Sequence, residues 1–197
     1  MTRTDRCLEW LAGNAPWAIA VFIVAGIVHI VSILAMPRLA PRDAWARMER
    51  LAPAHRMVLL PAAGAGPGAP PFEDPALAQG VCRYDLAAGP LRLRADLPPD
   101  ALTLFSFHAR YGQLYYSMTD RSATRGKLDV LIVTPEQLDA IEANDSEDEL
   151  PQELRILAPT PQGFVLVRAL AERPGDAPDA RRRIQSIACG LAPASNS

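Results

Sequence analysis

Four charged side chains crowd the stretch "TDRSATRGK", residues 119–127: Asp120, Arg121, Arg125 and Lys127. Tyr111, Tyr115 and Tyr116 stand just upstream. Guanidinium forks offer paired N–H donors that match a carboxylate or phosphate, and tyrosine rings add a packing face. Tyr116, Asp120, Arg121 and Arg125 are therefore the residues to examine for contact with an anionic ligand or a partner. The competing reading is a solvated turn closed by an internal Asp120–Arg121 pair. Other chemistry is scarce. His29, His55 and His108 are too scattered for a metal cluster, and His108, beside Phe107 in an apolar run, reads as a sheet residue and not a base. The acidic run 142–153 lacks the glycine and the ligand spacing of a calcium loop. "GAGPG" follows no strand and precedes no Lys-Ser/Thr, and there is no HExxH, serine elbow or CxxC. No catalytic, cofactor-binding or metal-ligating residue is expected, which favours a protein that is not an enzyme.

Three cysteines remain. Cys82 and Cys189 lie in the C-terminal part and Cys7 near the N-terminus. An even count after the apolar segment suits an oxidising compartment. A Cys82–Cys189 bridge would close a loop of about a hundred residues, worth roughly 4–5 kcal/mol in the chain-entropy estimate. Two buried free thiols satisfy the sequence as well.

The elements that hold these residues begin with a long apolar run. From Ala15 to Pro37 no side chain carries a fixed charge. The twenty or so residues of "WAIAVFIVAGIVHIVSILAM" match the ~30 Å hydrocarbon layer of a bilayer at about 1.5 Å per residue. The run is longer than the apolar region of a signal peptide, and Ile33-Leu34-Ala35 makes a poor cleavage site. Trp10 and Trp17 suit an interfacial belt. Residues 15–36 are thus expected to be an uncleaved transmembrane helix after a cytoplasmic tail, 1–14. Arg38, Arg42, Arg47 and Arg50 outnumber Arg3 and Arg6, which by the positive-inside rule places the C-terminal side in the cytoplasm. The short basic tail and the paired cysteines argue the reverse. The expectation adopted is a single-pass inner-membrane protein with a periplasmic C-terminal domain.

Gly26, His29 and Ser32 share one helix face, the small-and-polar pattern by which helices associate in lipid. They are expected to dock another membrane helix; a proton relay at His29, or a histidine merely tolerated there, are the alternatives. Past Pro37, Asp43 caps a short helix with Trp45, Met48 and Leu51 on one stripe. That helix suits the headgroup surface or a stalk packed on the domain. Residues 61–75 are too rich in Gly and Pro for regular structure, so 37–75 reads as juxtamembrane helix and linker.

Residues 76–192 form the domain. "VCRYDLA", "LRLRADL", "LTLFSFHA", "QLYYSMT" and "LDVLIVT" read as strands, the third and fourth as a hairpin with Gly112 at the positive-φ position, the last as a central strand. "ELRILA" and "GFVLVRAL" read as a second hairpin around "PTPQG". Thr134, Pro135 and Gln137 start a helix with a capping box. A second helix runs through 176–191, "DAPDARRRIQSIACGL", with Ile184, Ile187, Ala188 and Leu191 on one face and Gly190 as its cap. The fold class is an N-terminal transmembrane helix followed by an α+β, mostly antiparallel β domain of about six or seven strands and two helices. A net charge of −2 supplies no field for nucleic acid.

Three segments carry a likeness: "GIVHIVSILAMPRLAPRDAWARM", "PPFEDPALAQGVCRYDLAAGPLRLRA" and "SFHARYGQLYYSMTDRSATRGKLDVLIVTPEQL". From about residue 20 to about residue 170 the chain resembles the DUF-1254 group of small bacterial membrane proteins, whose domain has no assigned function. The resemblance implies a single-pass envelope protein with a β-rich domain, and it transfers no catalytic residue. The function expected is a non-enzymatic accessory, assembly or scaffolding component of the cell envelope, bound to the inner membrane and to another membrane or periplasmic protein. The alternative is an exported binding domain or enzyme for an anionic envelope ligand.

Overall fold

The computed structural model describes residues 3–39, 44–62, 74–98, 100–144 and 153–193. The chain divides into two units, Met1–Pro41 and Arg42–Ser197. The first is helix α1, Arg3–Leu39. Within it Gly13–Met36 forms 24 residues of exposed apolar surface, the length of a membrane span or a signal sequence. The residues expected as a tail before the span are the first turns of the same helix. Asp43, most of the 61–75 linker and most of the acidic run lie outside the described residues.

The second unit is a sandwich of two sheets. Its elements are α2 (Ala44–Leu51), β1 (Met57–Leu59), β2 (Leu77–Asp85), β3 (Leu91–Asp96), β4 (Thr103–Ala109), β5 (Leu114–Thr119), β6 (Lys127–Val133), α3 (Pro135–Glu142), β7 (Leu154–Leu157), β8 (Gln162–Leu170), α4 (Ala177–Ser186) and β9 (Ala188–Leu191). One sheet has the order β1-β2-β8-β4-β5 and the other β7-β6-β3-β9. Every pairing is antiparallel except β6 with β7. An α+β domain dominated by antiparallel strands is what the sequence pattern requires. Period-two patterning explains the core: Leu91, Leu93 and Ala95 are buried and the arginines between them point outward. Phe105, Phe107, Val165, Val167, Val130 and Ile132 meet them between the sheets.

Three expectations are corrected. The described residues hold nine strands, because the short β1 and β9 add to the seven that the sequence marks. β7 and β8 are not a hairpin. β7 pairs with β6 in one sheet, β8 with β2 and β4 in the other, and α3 supplies the crossover a parallel pair needs. The last helix stops at Ser186; Ala188–Leu191 instead form β9 against β3, so Gly190 is a ladder residue opposite Arg92 and not a cap. Ile184 and Ile187 are buried either way, which is why helical spacing misread this end. Of the two places open to α2, the structure shows the packed one: Trp45 is buried with Ala52, Leu60, Val81 and Phe164 on the outer face of the larger sheet. The readings of β6 as a central strand, of Gly112 at positive φ (81°) and of the Thr134–Gln137 capping box agree with the structure.

Candidate functional site

Both sheets end on the same side in a free edge, β5 on the larger and β7 on the smaller. A cleft of about 220 Å³ between them is lined by Tyr115, Tyr116, Leu154, Arg155, Ile156 and Leu157. A register shift at Phe107/His108 makes Tyr115 the extra residue on β5. Two consecutive tyrosines therefore reach the same ring, Phe107, with centroids 6.3 Å (Tyr115) and 5.9 Å (Tyr116) away. Among the described residues outside α1 the exposed large apolar ones are Leu102, Tyr111, Leu114, Tyr116, Leu154, Leu157 and Leu191. Five of these seven belong to β5, β7 or the turn before β5, so the exposure is concentrated and not scattered. β5 itself, "LYYSMT", contains no charge and no proline. An edge without such guards is a template for another strand.

The tyrosine beneath the seam is held firmly. Tyr115 and Tyr84 share a hydroxyl–hydroxyl bond of 3.0 Å, and Tyr84 donates to the His108 carbonyl at 3.3 Å. Gly163 makes this possible, because a Cβ there would collide with the Tyr84 hydroxyl. Burial pushes Tyr115 up to about 12 and Tyr84 higher still. Both stay protonated at any physiological pH and serve as hydrogen-bonding struts, not as bases. His108 is fixed by its Nδ1–Gly112 carbonyl bond (3.1 Å) and stacks on Phe164 at 4.9 Å. Burial, aided by Arg168, pushes its pKa down although the Gly112 bond opposes this. It is a neutral sheet residue as expected, with its Nε2 lacking a partner among the described residues.

Of the four residues proposed for ligand or partner contact, Tyr116 lines the seam. Asp120 and Arg121 sit in a short 3₁₀ turn after β5, and Arg125 stands beyond it at φ 55. None of the three has an ion pair or side-chain hydrogen bond among the described residues, so the internal Asp120–Arg121 pair does not form. Gly26, His29 and Ser32 lie in the exposed helix α1, and the second unit says nothing of what they meet.

Sequence reasoning missed two arrangements. Trp45 is held between two guanidinium groups, Arg83 and Arg110, each 4.7 Å from its ring. On the outer face of the smaller sheet Arg92 grips Asp129 through two bonds of 2.8 Å, Arg94 adds one of 3.0 Å, and Glu153 bridges Arg92 and Arg155. The alternation of arginines in "LRLRAD" signals an outward face, but their acidic partners lie 35 or more residues away. Cys82 and Cys189 are paired at disulfide-bonding distance, Cα atoms 6.6 Å apart, and tie β2 of one sheet to β9 of the other.

An apolar helix of membrane-span length followed by a two-sheet α+β domain, with an apolar seam at one edge, is the class these features define. The family model for a protein of unknown function, DUF1254, matches residues 76–190, and the chain belongs to that family. Comparison with curated proteins gives no match. Among solved structures the chain is similar to the VPA0106 protein from Vibrio parahaemolyticus, with 13% identity and a TM-score of 0.49 over 76% of this chain and 35% of that one. It is also similar to an uncharacterized protein from Burkholderia cenocepacia, with 17% identity and a TM-score of 0.39 over 59% and 32%. The chain thus spans about a third of the length of each.

Proposed function

We propose that this protein is a non-enzymatic accessory or assembly component of the bacterial cell envelope. In this reading α1 holds it in the inner membrane, and the domain faces the periplasm and docks a second envelope protein. The observation that carries the docking is the uncharged β5 edge beside the apolar seam. Its occupant is an extended, uncharged segment of that partner, added to β5 as a further strand with apolar side chains in the seam. Main-chain bonds along β5 supply affinity, and the Tyr116–Leu157 cleft supplies specificity. The pairing of Cys82 with Cys189 supports export, since such bonds persist in oxidising compartments. The Gly26–His29–Ser32 face serves a partner within the membrane.

A photoreactive amino acid placed at Tyr116, and as a control at the exposed Asp139 on α3, tests the reading in cells. The expected result is one crosslinked envelope protein at position 116 and none at 139. The crosslinked peptide should show alternating apolar residues, and the product should disappear with Leu114→Lys. Crosslinking that is equal at both positions, or unaffected by Leu114→Lys, would sink the proposal.

A further inference from the structure

At the opposite edges of the two sheets, beside β1 and β9, lies a larger cleft of about 510 Å³. Arg56, Arg92, Arg94, Gln185, Ile187 and Gly190 are among its lining residues. Its concavity comes from β9, where Ala188 and Gly190 stand opposite Arg94 and Arg92. A Cβ added at Gly190 would meet nothing within 4 Å. One carboxylate tethers Arg92 and Arg94 from the neighbouring strand on the side away from β9. Asp129, on β6, holds Nε and Nη2 of Arg92 and Nε of Arg94. Nη1 of Arg92 and both Nη atoms of Arg94 keep their N–H groups without partners among the described residues, and the exposed Arg56 has no partner there at all. Three guanidinium groups line the cleft (Arg56, Arg92, Arg94) against the two carboxylates bound to them (Asp129, Glu153), a surplus of one positive charge among the described residues.

We infer that this cleft binds the phosphate group of a phosphate monoester, with the Arg56, Arg92 and Arg94 forks as donors. The surplus positive charge favours an anion, and planar guanidinium groups fixed by a carboxylate suit phosphate oxygens. Met57 and Ile187 give the organic part of the ester an apolar wall. The site is separate from the seam and does not depend on it. It also differs from the Asp120–Arg125 turn, which the sequence alone singles out for anions. The phosphate could come from a soluble ester or from the monoester headgroup of phosphatidic acid.

The full chain in nanodiscs of zwitterionic lipid should bind phenyl phosphate at a single saturable site in calorimetric titration at low salt. Binding should weaken at least tenfold when Arg56→Gln and Arg94→Gln are combined, and by a similar factor in Gly190→Val. The last variant fills the space and leaves every charge in place, so it decides the matter should the arginine variant fail to fold. Nanodiscs containing phosphatidic acid distinguish the sources: blocked phenyl phosphate binding identifies the headgroup, and unchanged binding identifies the soluble ester. Absence of saturable binding, or wild-type affinity in the folded variants, would overturn the inference.

Discussion

Asp129 concentrates more of the surface chemistry than any other carboxylate described. Hydrogen bonds from Arg92 above all, then from Arg94, hold its carboxyl below the usual carboxylate range against the upward push of burial. The folded value is depressed, so the network's contribution is present above the unfolded-state value of about 4 and is lost as pH falls through the folded one. Asp129→Asn should therefore cost about 1 kcal/mol at neutral pH, the upper range for a solvent-facing network. The cost should fade in acid, so urea midpoints of wild type and variant should converge there. A gap that stays constant with pH would mean that the carboxylate's charge contributes nothing.

At the scale of elements, α2 shows how a short helix gains its place. Eight residues are too few to be stable alone in water, so tertiary contacts must hold them. Trp45 provides these, buried against Val81 and Phe164 and flanked by Arg83 and Arg110. Trp45→Ala should cost about 3 kcal/mol, the scale for removing a buried aromatic ring. It should also open the 52–62 segment to limited proteolysis while the Cys82–Cys189 link stays intact. Protection of that segment in the variant would show that α2 is held by its other contacts.

For the molecule as a whole the cross-sheet bridge is the decisive tie. It joins positions 107 residues apart and pins the last strand to the first long one. Replacing both cysteines by serine should lower stability by roughly 4–5 kcal/mol. For a domain of this size that is a fall of roughly 10–20 °C in melting temperature. Peptides from protein isolated from cells without reductant should be linked at Cys82 and Cys189. A phosphatase reporter fused after Ser197 should be active, as a periplasmic domain requires. An inactive reporter together with freely alkylated thiols would refute the exported topology.

Much of this was legible in one dimension. The charge-free run to Met36 sets a helix of span length, since nothing in it can pay for a polar face. Alternation in "LRLRADL" and the capping box at Thr134 are local signals, and local geometry honours them. Cysteine parity pointed to the bridge without proving it. What failed were decisions that rest on distant partners. Ile184, Ile187 and Leu191 fit a helical face equally well, and only the open edge of β3 makes residues 188–191 extend. The turn between β7 and β8 suits a hairpin, yet each strand finds a better neighbour in a different sheet. The seam and the arginine cleft were invisible for the same reason. Each is assembled from edges far apart in sequence, and it is the closing of the two sheets on one core that brings them together.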